Sequence, residues 1–302
     1  MQKSFGTLRA LQGVSFSLAA GERLAFLGPN GAGKTTLIRC LSGRTRPDDG
    51  EIQLLGRPIA EPGIRETLGL VPQEIALYSD LTTRENLSAF AKFHGLRRGE
   101  ARQRVEWALD WTGLTHRAND LVGGFSGGMK RRVNLACGVM HSPPVLLLDE
   151  PTVGVDPQSR QRIFAMLDEL NRGGTSILLT THQLDEAEQR SDRIVILDRG
   201  KVVADGTLDQ LVQNSVGTSR LVRLRIDRPL HQPLVLISDD SRFTLGERGN
   251  DLLSTRIDNV SFHLPRLLDE VRDHGYQISD VEVHPPSLQH IFLHLTGNEL
   301  RD

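Results

Sequence analysis

Short apolar runs of strand length recur along the chain, at Leu24-Ala25-Phe26-Leu27, Val145-Leu146-Leu147-Leu148 and Ile177-Leu178-Leu179. Each is bounded by Gly, Pro or polar turn residues and is apolar throughout, the pattern of buried parallel strands covered on both faces. Between them, Lys34 to Leu41, Pro157 to Leu170 and Leu184 to Arg190 carry helical spacing. Strands that alternate with helices predict a doubly wound α/β sheet. Residues 76 to 122 break this rhythm: they hold helical stretches at Arg84 to Phe93 and Glu100 to Trp111 and no strong strand signal, so a helical insertion is expected. After Asn214-Ser215-Val216-Gly217 the order starts again. Strands are expected at Leu221 to Ile226, Pro233 to Ile237 and near Ile278 to Val283, with helices near Leu264 to His274 and from Ser287. The expected division is a first domain at 1–215, with a helical subdomain at about 76–140, and a smaller α/β domain at 216–302.

Composition narrows the function classes. A formal net charge of -2, from 36 basic and 38 acidic residues, leaves no general basic surface, so no nucleic-acid partner is expected. Cys40 and Cys137 lie far apart, each in a stretch with helical apolar spacing. They read as small core residues rather than a disulfide or metal ligands, in a reducing compartment. No uncharged apolar run reaches the roughly 18 residues that a membrane-spanning helix needs, so a role in transport would require another chain.

The strongest local signal is Gly28-Pro29-Asn30-Gly31-Ala32-Gly33-Lys34-Thr35-Thr36, which fits G-x-x-x-x-G-K-[ST] between a strand and a helix. Glycines let the main chain wrap phosphate closely, with N–H groups and the helix N-terminus aimed at the anion. Lys34 would hold the β- and γ-phosphates, and the Thr35 hydroxyl would join the shell of a Mg²⁺ ion. Val145 to Leu148 ends in Asp149 and Glu150, two carboxylates at the strand end where a parallel sheet binds ligands. Asp149 is suited to hold Mg²⁺, and Glu150 to polarise the attacking water, because phosphoryl transfer needs an oriented nucleophile more than covalent help. Ser126-Gly127-Gly128 before a helical run is a weak signal alone, equally a plain turn and helix cap.

In combination these segments resemble ATP-binding cassette (ABC) transporter ATPases. The phosphate loop, Gln73, Ser126-Gly127-Gly128, Leu148-Asp149-Glu150-Pro151-Thr152, Gly154-Val155-Asp156-Pro157 and Thr181-His182 stand in the order and approximate spacing of that family, over roughly residues 3 to 210. The resemblance implies a P-loop NTPase cassette with ATP and Mg²⁺ as ligands. It implies that Phe5 stacks on adenine, that Gln73 senses Mg²⁺ and water, and that His182 contacts the γ-phosphate. By the same resemblance, Ser126, Gly127 and Gly128 close over the nucleotide of a second ATP-binding subunit, and Asp156 couples the two sites. Implied partners are that second subunit, either another copy of this chain in a homodimer or a different cassette, and a polytopic membrane permease, with this chain peripheral on the cytoplasmic face of the membrane. Lys130-Arg131-Arg132 and the Arg97 to Arg104 stretch read as solvated helix faces. Phe90, Phe93 and Leu96 read either as core or as anchors for permease helices.

Met129 stands where the family's signature usually has Gln, and Phe125 opens the motif. Both features resemble the bacterial branch that serves drug and polysaccharide exporters, daunorubicin-resistance-like cassettes among them. The closing run from Pro286 to Gly297 resembles the end of the small C-terminal domain of that branch. An exporter's ATPase is therefore expected; a soluble cassette ATPase acting on ribosomes or DNA is the alternative, and tandem cassettes, zinc motifs or long coiled insertions would mark it. Family members usually carry a strand ahead of the segment matching Lys3-Ser4-Phe5-Gly6, and it would pair with one near Val14 to Leu18. With only Met1 and Gln2 there, Phe5 is expected to fray, and a start upstream of Met1 or weak adenine binding is expected.

Overall fold

The computed structural model describes residues 1–215, 220–230, 234–238, 241–245, 250–257, 259–284 and 287–296. The chain divides into two compact units, Met1–Thr207 and a second that begins at Leu208.

The first unit opens with strands β1 (Gln2–Phe5), β2 (Leu8–Gln12) and β3 (Arg23–Leu27), followed by helix α1 (Lys34–Leu41). A small hairpin, β4 (Gln53–Leu54) and β5 (Arg57–Pro58), leads to β6 (Leu68–Val71) and then to α2 (Thr83–Phe93), α3 (Arg98–Thr112) and α4 (Gly127–Gly138). The rest alternates: β7 (Val145–Asp149), α5 (Pro157–Arg172), β8 (Ser176–Thr181), α6 (Leu184–Arg190), β9 (Arg193–Asp198) and β10 (Lys201–Gly206). Six strands form one sheet in the order β10-β9-β3-β8-β7-β6, parallel except for β10 at its edge. The apolar runs are its inner strands, and β7 and β8 are buried at every position. Leu24, Phe26, Leu37, Leu147, Leu178 and Val195 interlock in the core between the sheet and its covering elements.

Register positions the chemistry. Leu27 pairs with Thr181 and Asp149 with Thr180, so the loops after β3, β7 and β8 leave the same edge of the sheet side by side. At the strand-to-helix loop, a Cβ on Gly28 would lie 2.3 Å from the Leu197 carbonyl oxygen, and one on Gly33, at φ 106°, 2.5 Å from that of Ala10. Only glycine fits at either place.

Two expectations for the start of the chain fail. Val14 to Leu18 carries no strand, because only Val14 has a ladder partner: Val14 and Met1 exchange main-chain bonds of 3.0 and 2.9 Å. The opening residues are also tied down. β1 pairs antiparallel with β2, and Ser4 donates to Asp48, whose carboxylate also holds Lys3 at 2.7 Å. Phe5 therefore stands on a paired strand.

The second unit holds α7 (Leu208–Ser215), β11 (Arg220–Ile226), β12 (Leu234–Ser238), β13 (Ser241–Leu245), β14 (Leu252–Ile257), α8 (Val260–Asp273), β15 (Ile278–His284) and α9 (Leu288–Thr296). Its antiparallel sheet runs β14-β11-β15, and Val222, Leu224, Leu253, Leu267 and Val271 form its core. Sequence reading missed β14, where buried Leu253, Thr255 and Ile257 alternate with exposed Ser254 and Arg256, so no continuous apolar run marks it. Val216, Gly217, Pro233, Pro286 and Gly297 lie outside the described residues.

Candidate nucleotide site

The turn after β3 folds the loop over the sheet edge. Gly28 donates to the Thr181 carbonyl at 3.3 Å, and Ala32 donates to Pro29 at 3.1 Å. No hydrogen bond within the described residues engages the N–H groups of Gly31, Gly33, Lys34 or Thr35. Donors at a helix start that the chain leaves unpaired form an anion cradle. Asn30 and Gly31 are exposed at its rim, while Lys34 is buried beneath it. The Lys34 ammonium donates to the carbonyls of Gly28 (2.8 Å) and Pro29 (3.2 Å) and lies 3.1 Å from Glu150 Oε1.

The two carboxylates end β7 in different roles. Asp149 Oδ1 accepts from Thr180 Oγ1 at 2.7 Å and lies 3.4 Å from Thr35 Oγ1. Glu150 sits at φ 47°, a left-handed conformation that costs a non-glycine residue of order 1–3 kcal/mol and recurs at functional sites. Its N–H donates to Thr180, to both the carbonyl (3.2 Å) and the hydroxyl (3.1 Å), which holds the bend. That bend aims the side chain across the cradle. Glu150 Oε2 accepts from Gln73 Nε2 at 3.2 Å and lies 3.3 Å from His182 Nδ1, outside hydrogen-bond geometry for that ring. Lys34, Gln73, Asp149, Glu150 and His182 are thus one cluster, drawn from residues up to 148 positions apart in the sequence (182 − 34).

Arg131 corrects the reading of its neighbours as a solvated face. It is buried, and its guanidinium donates to the carbonyls of Pro72 (3.1 Å) and Gln73 (2.7 Å), so it holds the segment that carries Gln73. Burial lowers its pKa, with Asp149 and Glu150 opposing. Arg132 likewise donates to the Thr112 carbonyl, and Arg104 to those of Val139 and Met140 at 2.9 Å each. Periodicity cannot show this, because a buried arginine at a helix start has the same spacing as a solvated one. Asn134, also unflagged by sequence, accepts from Ala76 N–H at 3.1 Å and fixes the next turn of that segment.

A family model described as ABC transporter matches residues 11–153. The chain is 39% identical over 312 residues to a linearmycin resistance ATP-binding protein of Bacillus subtilis, an alignment that covers 100% of this chain and 98% of the relative. The chain belongs to the ABC transporter family. It is an ATP-binding, ATP-hydrolysing subunit, with a membrane permease on another chain as its partner. Two further relatives are a daunorubicin resistance ATP-binding protein of Streptomyces coeruleorubidus, 37% identical over 99% of this chain and 95% of the relative, and a Nod factor export ATP-binding protein of Rhizobium, 36% identical over 99% and 96%. Among solved structures, an ATP-binding subunit of an ABC transporter superposes with TM-score 0.65 at 33% identity, covering 70% of this chain and 90% of that one. A dimeric, post-hydrolysis ATP-binding cassette bound to ADP and Pi matches at TM-score 0.61 and 26% identity, covering 68% and 94%. A shorter match, to a model described as AAA domain, putative AbiEii toxin, spans residues 122–186 and omits the phosphate loop.

The remaining family positions stand apart from the cluster. Ser126 caps α4 by accepting from Met129 N–H at 3.3 Å, and both Ser126 and Gly127 are exposed. No hydrogen bond within the described residues ties them to the phosphate loop. Gly128 is buried so tightly that a Cβ would lie 2.1 Å from Ser159 Oγ. Asp156 caps α5, accepting from Ser159 N–H at 2.9 Å, and that bond holds its carboxyl below the usual range. Phe5 is 48% exposed on the hairpin whose second strand touches Gly33. On α2, Phe93 is 68% exposed, so the core reading fails for it; Phe90 and Leu96 are half-buried. Cys40 and Cys137 are free and buried, and burial raises both thiols.

Proposed function

We propose that this cassette is the motor of an exporter and that it works as a homodimer with two shared ATP sites. The observation that carries this is the split of the site: the hydrolytic cluster gathers at one sheet edge, while Ser126 and Gly127 stand exposed at a helix start with no bond to it. A second copy would bring its Ser126-Gly127-Gly128 to this cradle, with the positive end of its α4 toward the γ-phosphate. The relatives named for drug resistance and Nod factor export support the direction of transport.

The residues then divide the work between them. Lys34 and the free N–H groups of the loop hold the phosphates, and Phe5 offers a face to adenine. Thr35, Asp149 and Gln73 present hard oxygen donors suited to Mg²⁺, which would neutralise phosphate charge when bound. Glu150 orients the attacking water and takes its proton. Gln73 and His182, both beside Glu150 Oε2, would register the γ-phosphate and its loss. We further infer that the first compact unit is the ATP-binding domain, with the helical subdomain at about 76–140, and that the second, from Leu208, is an accessory domain. The exposed Tyr78 and Phe93, whose rings lie 6.4 and 5.8 Å from that of Phe90, would dock the permease's membrane-proximal helices. Among the described residues no helix is long and apolar enough to cross a membrane, and we place the chain on the cytoplasmic face through that contact. The test is co-purification from membranes of the native host. A polytopic membrane protein that is lost on Phe93→Asp supports the reading; recovery of ribosomal components or DNA instead overturns it.

A further inference from the structure

Glu186 is buried, 4% exposed, in the first turn of α6, and it touches none of the groups assigned above to ATP. A carboxylate at that position of a helix commonly caps its own N-terminus. This one does not. Its Oε1 accepts from Thr152 Oγ1 at 2.5 Å and lies 3.6 Å from Arg160 Nε, while its Oε2 accepts from Thr181 Oγ1 at 3.0 Å. Both hydroxyls are themselves buried.

The three partners sit on the elements that surround Glu150. Thr152 is in the turn that joins Glu150 to Asp156. Arg160 is in the first turns of α5, where its N–H donates to the Asp156 carbonyl at 2.9 Å. Thr181 ends β8 directly before His182, and its carbonyl receives Gly28 of the phosphate loop. Its hydroxyl also accepts from Gln183 N–H at 2.9 Å, which fixes the chain on the far side of His182. Burying a carboxylate costs several kcal/mol unless its partners satisfy it. Here those partners belong to the water-orienting turn and to the γ-phosphate switch. We propose that Glu186 is a positioning residue for hydrolysis: it clamps the turn after Glu150 to the strand end before His182, and so sets the separation of those two side chains about the attacking water. This rests on the roles given above to Glu150 and His182.

Thr152→Val and Thr181→Val keep the branched shape and remove only the hydroxyl, so they remain informative should Glu186→Ala fail to fold. A misplacement of about 1 Å lowers turnover by up to about 100-fold, so Glu186→Ala and Thr152→Val should each lose roughly 10- to 100-fold in kcat, with KM and the affinity for a fluorescent ATP analogue within about threefold. Because both remove the same contact, the double variant should be no slower than the slower single one. Glu186→Gln, whose amide can bond both hydroxyls, should recover most of the turnover. The ring resonance of His182, assigned by its loss in His182→Gln, should move in Thr152→Val without nucleotide present. Turnover within twofold of wild type in Thr152→Val, or losses that multiply in the double variant, would overturn the clamp. So would Glu186→Gln falling in kcat, ATP affinity and Tm as far as Glu186→Ala. Glu150→Gln is run alongside: if it turns over normally, the role of Glu150 has failed, whereas a slow Glu150→Gln beside a fast Thr152→Val condemns the clamp alone.

Discussion

Replacing Glu150 by Gln separates what this side chain does for the fold from what it does for hydrolysis. Its Oε1 lies 3.1 Å from the buried Lys34 ammonium, and its Oε2 faces Gln73 Nε2 at 3.2 Å and His182 Nδ1 at 3.3 Å. A glutamine can keep its oxygen toward Lys34 and turn its NH₂ toward the His182 ring, while the Gln73 amide flips. Lys34 then loses a charged partner but keeps the carbonyls of Gly28 and Pro29. The structural loss is about 1–2 kcal/mol, the difference between a charged and a neutral acceptor. For a unit of this size that lowers Tm by roughly 2–8 °C. The catalytic loss is larger, because a positioned general base contributes about 10²- to 10⁴-fold, or about 3–5 kcal/mol of barrier. Phosphate release against ATP concentration should show kcat down by at least about 100-fold with KM little changed. ATP should also shift the variant from monomer to dimer in size-exclusion chromatography, since closure proceeds and reopening waits on hydrolysis. Turnover within threefold of wild type in the folded variant refutes the assignment, and loss of ATP binding would reduce Glu150 to a support for Lys34.

Lys34→Ala removes the phosphate loop's cation and leaves Glu150 buried without it, a loss of up to about 3–5 kcal/mol; ATP binding at wild-type affinity would remove the loop assignment. Mixing Lys34→Ala with Ser126→Arg subunits places both lesions at one composite site of the mixed dimer, so two inactive proteins should recover partial turnover. Mixed dimers that form and stay inactive argue against sharing. Gly128→Ala drives a Cβ to 2.1 Å from Ser159 Oγ, and should cost about 1–3 kcal/mol in thermal unfolding, partly relieved by Ser159→Gly. Burial, reinforced by His94 stacked at 3.9 Å and by Arg104, pushes His141 from its ordinary 6.5 down to about 4. The folded state therefore binds fewer protons than the unfolded one between those values, and Tm should fall as pH drops from 6.5 toward 4; His141→Gln should flatten that slope, and an unchanged slope would exclude His141 as its source.

Much of the first unit was legible because its signals are local. A parallel strand covered on both faces must be apolar throughout, so β3, β7 and β8 announced themselves, and the glycines and lysine of the phosphate loop stand within nine consecutive residues, 28 to 36. The order of the motifs, more than any one of them, identified the family. The sequence by itself thus determined the doubly wound sheet and the ATP-binding family, and it marked Lys34, Gln73, Asp149, Glu150 and His182, which the structure gathers at one end of that sheet. Tertiary structure decided everything that depends on a partner far away in the chain. Arg131 looked solvated until the carbonyls of Pro72 and Gln73 closed over it, and Phe5 looked loose until β2 and Asp48 held its strand. Val14 to Leu18 has strand composition and no strand, because a strand is a pairing and only Val14 has a partner. Glu186 carried no signal at all: its role comes from two hydroxyls, one 34 residues before it and one 5, that meet it only when β7 and β8 lie in register. Spacing along a chain reports which face a residue shares with its neighbours; what lies against that face is fixed by packing.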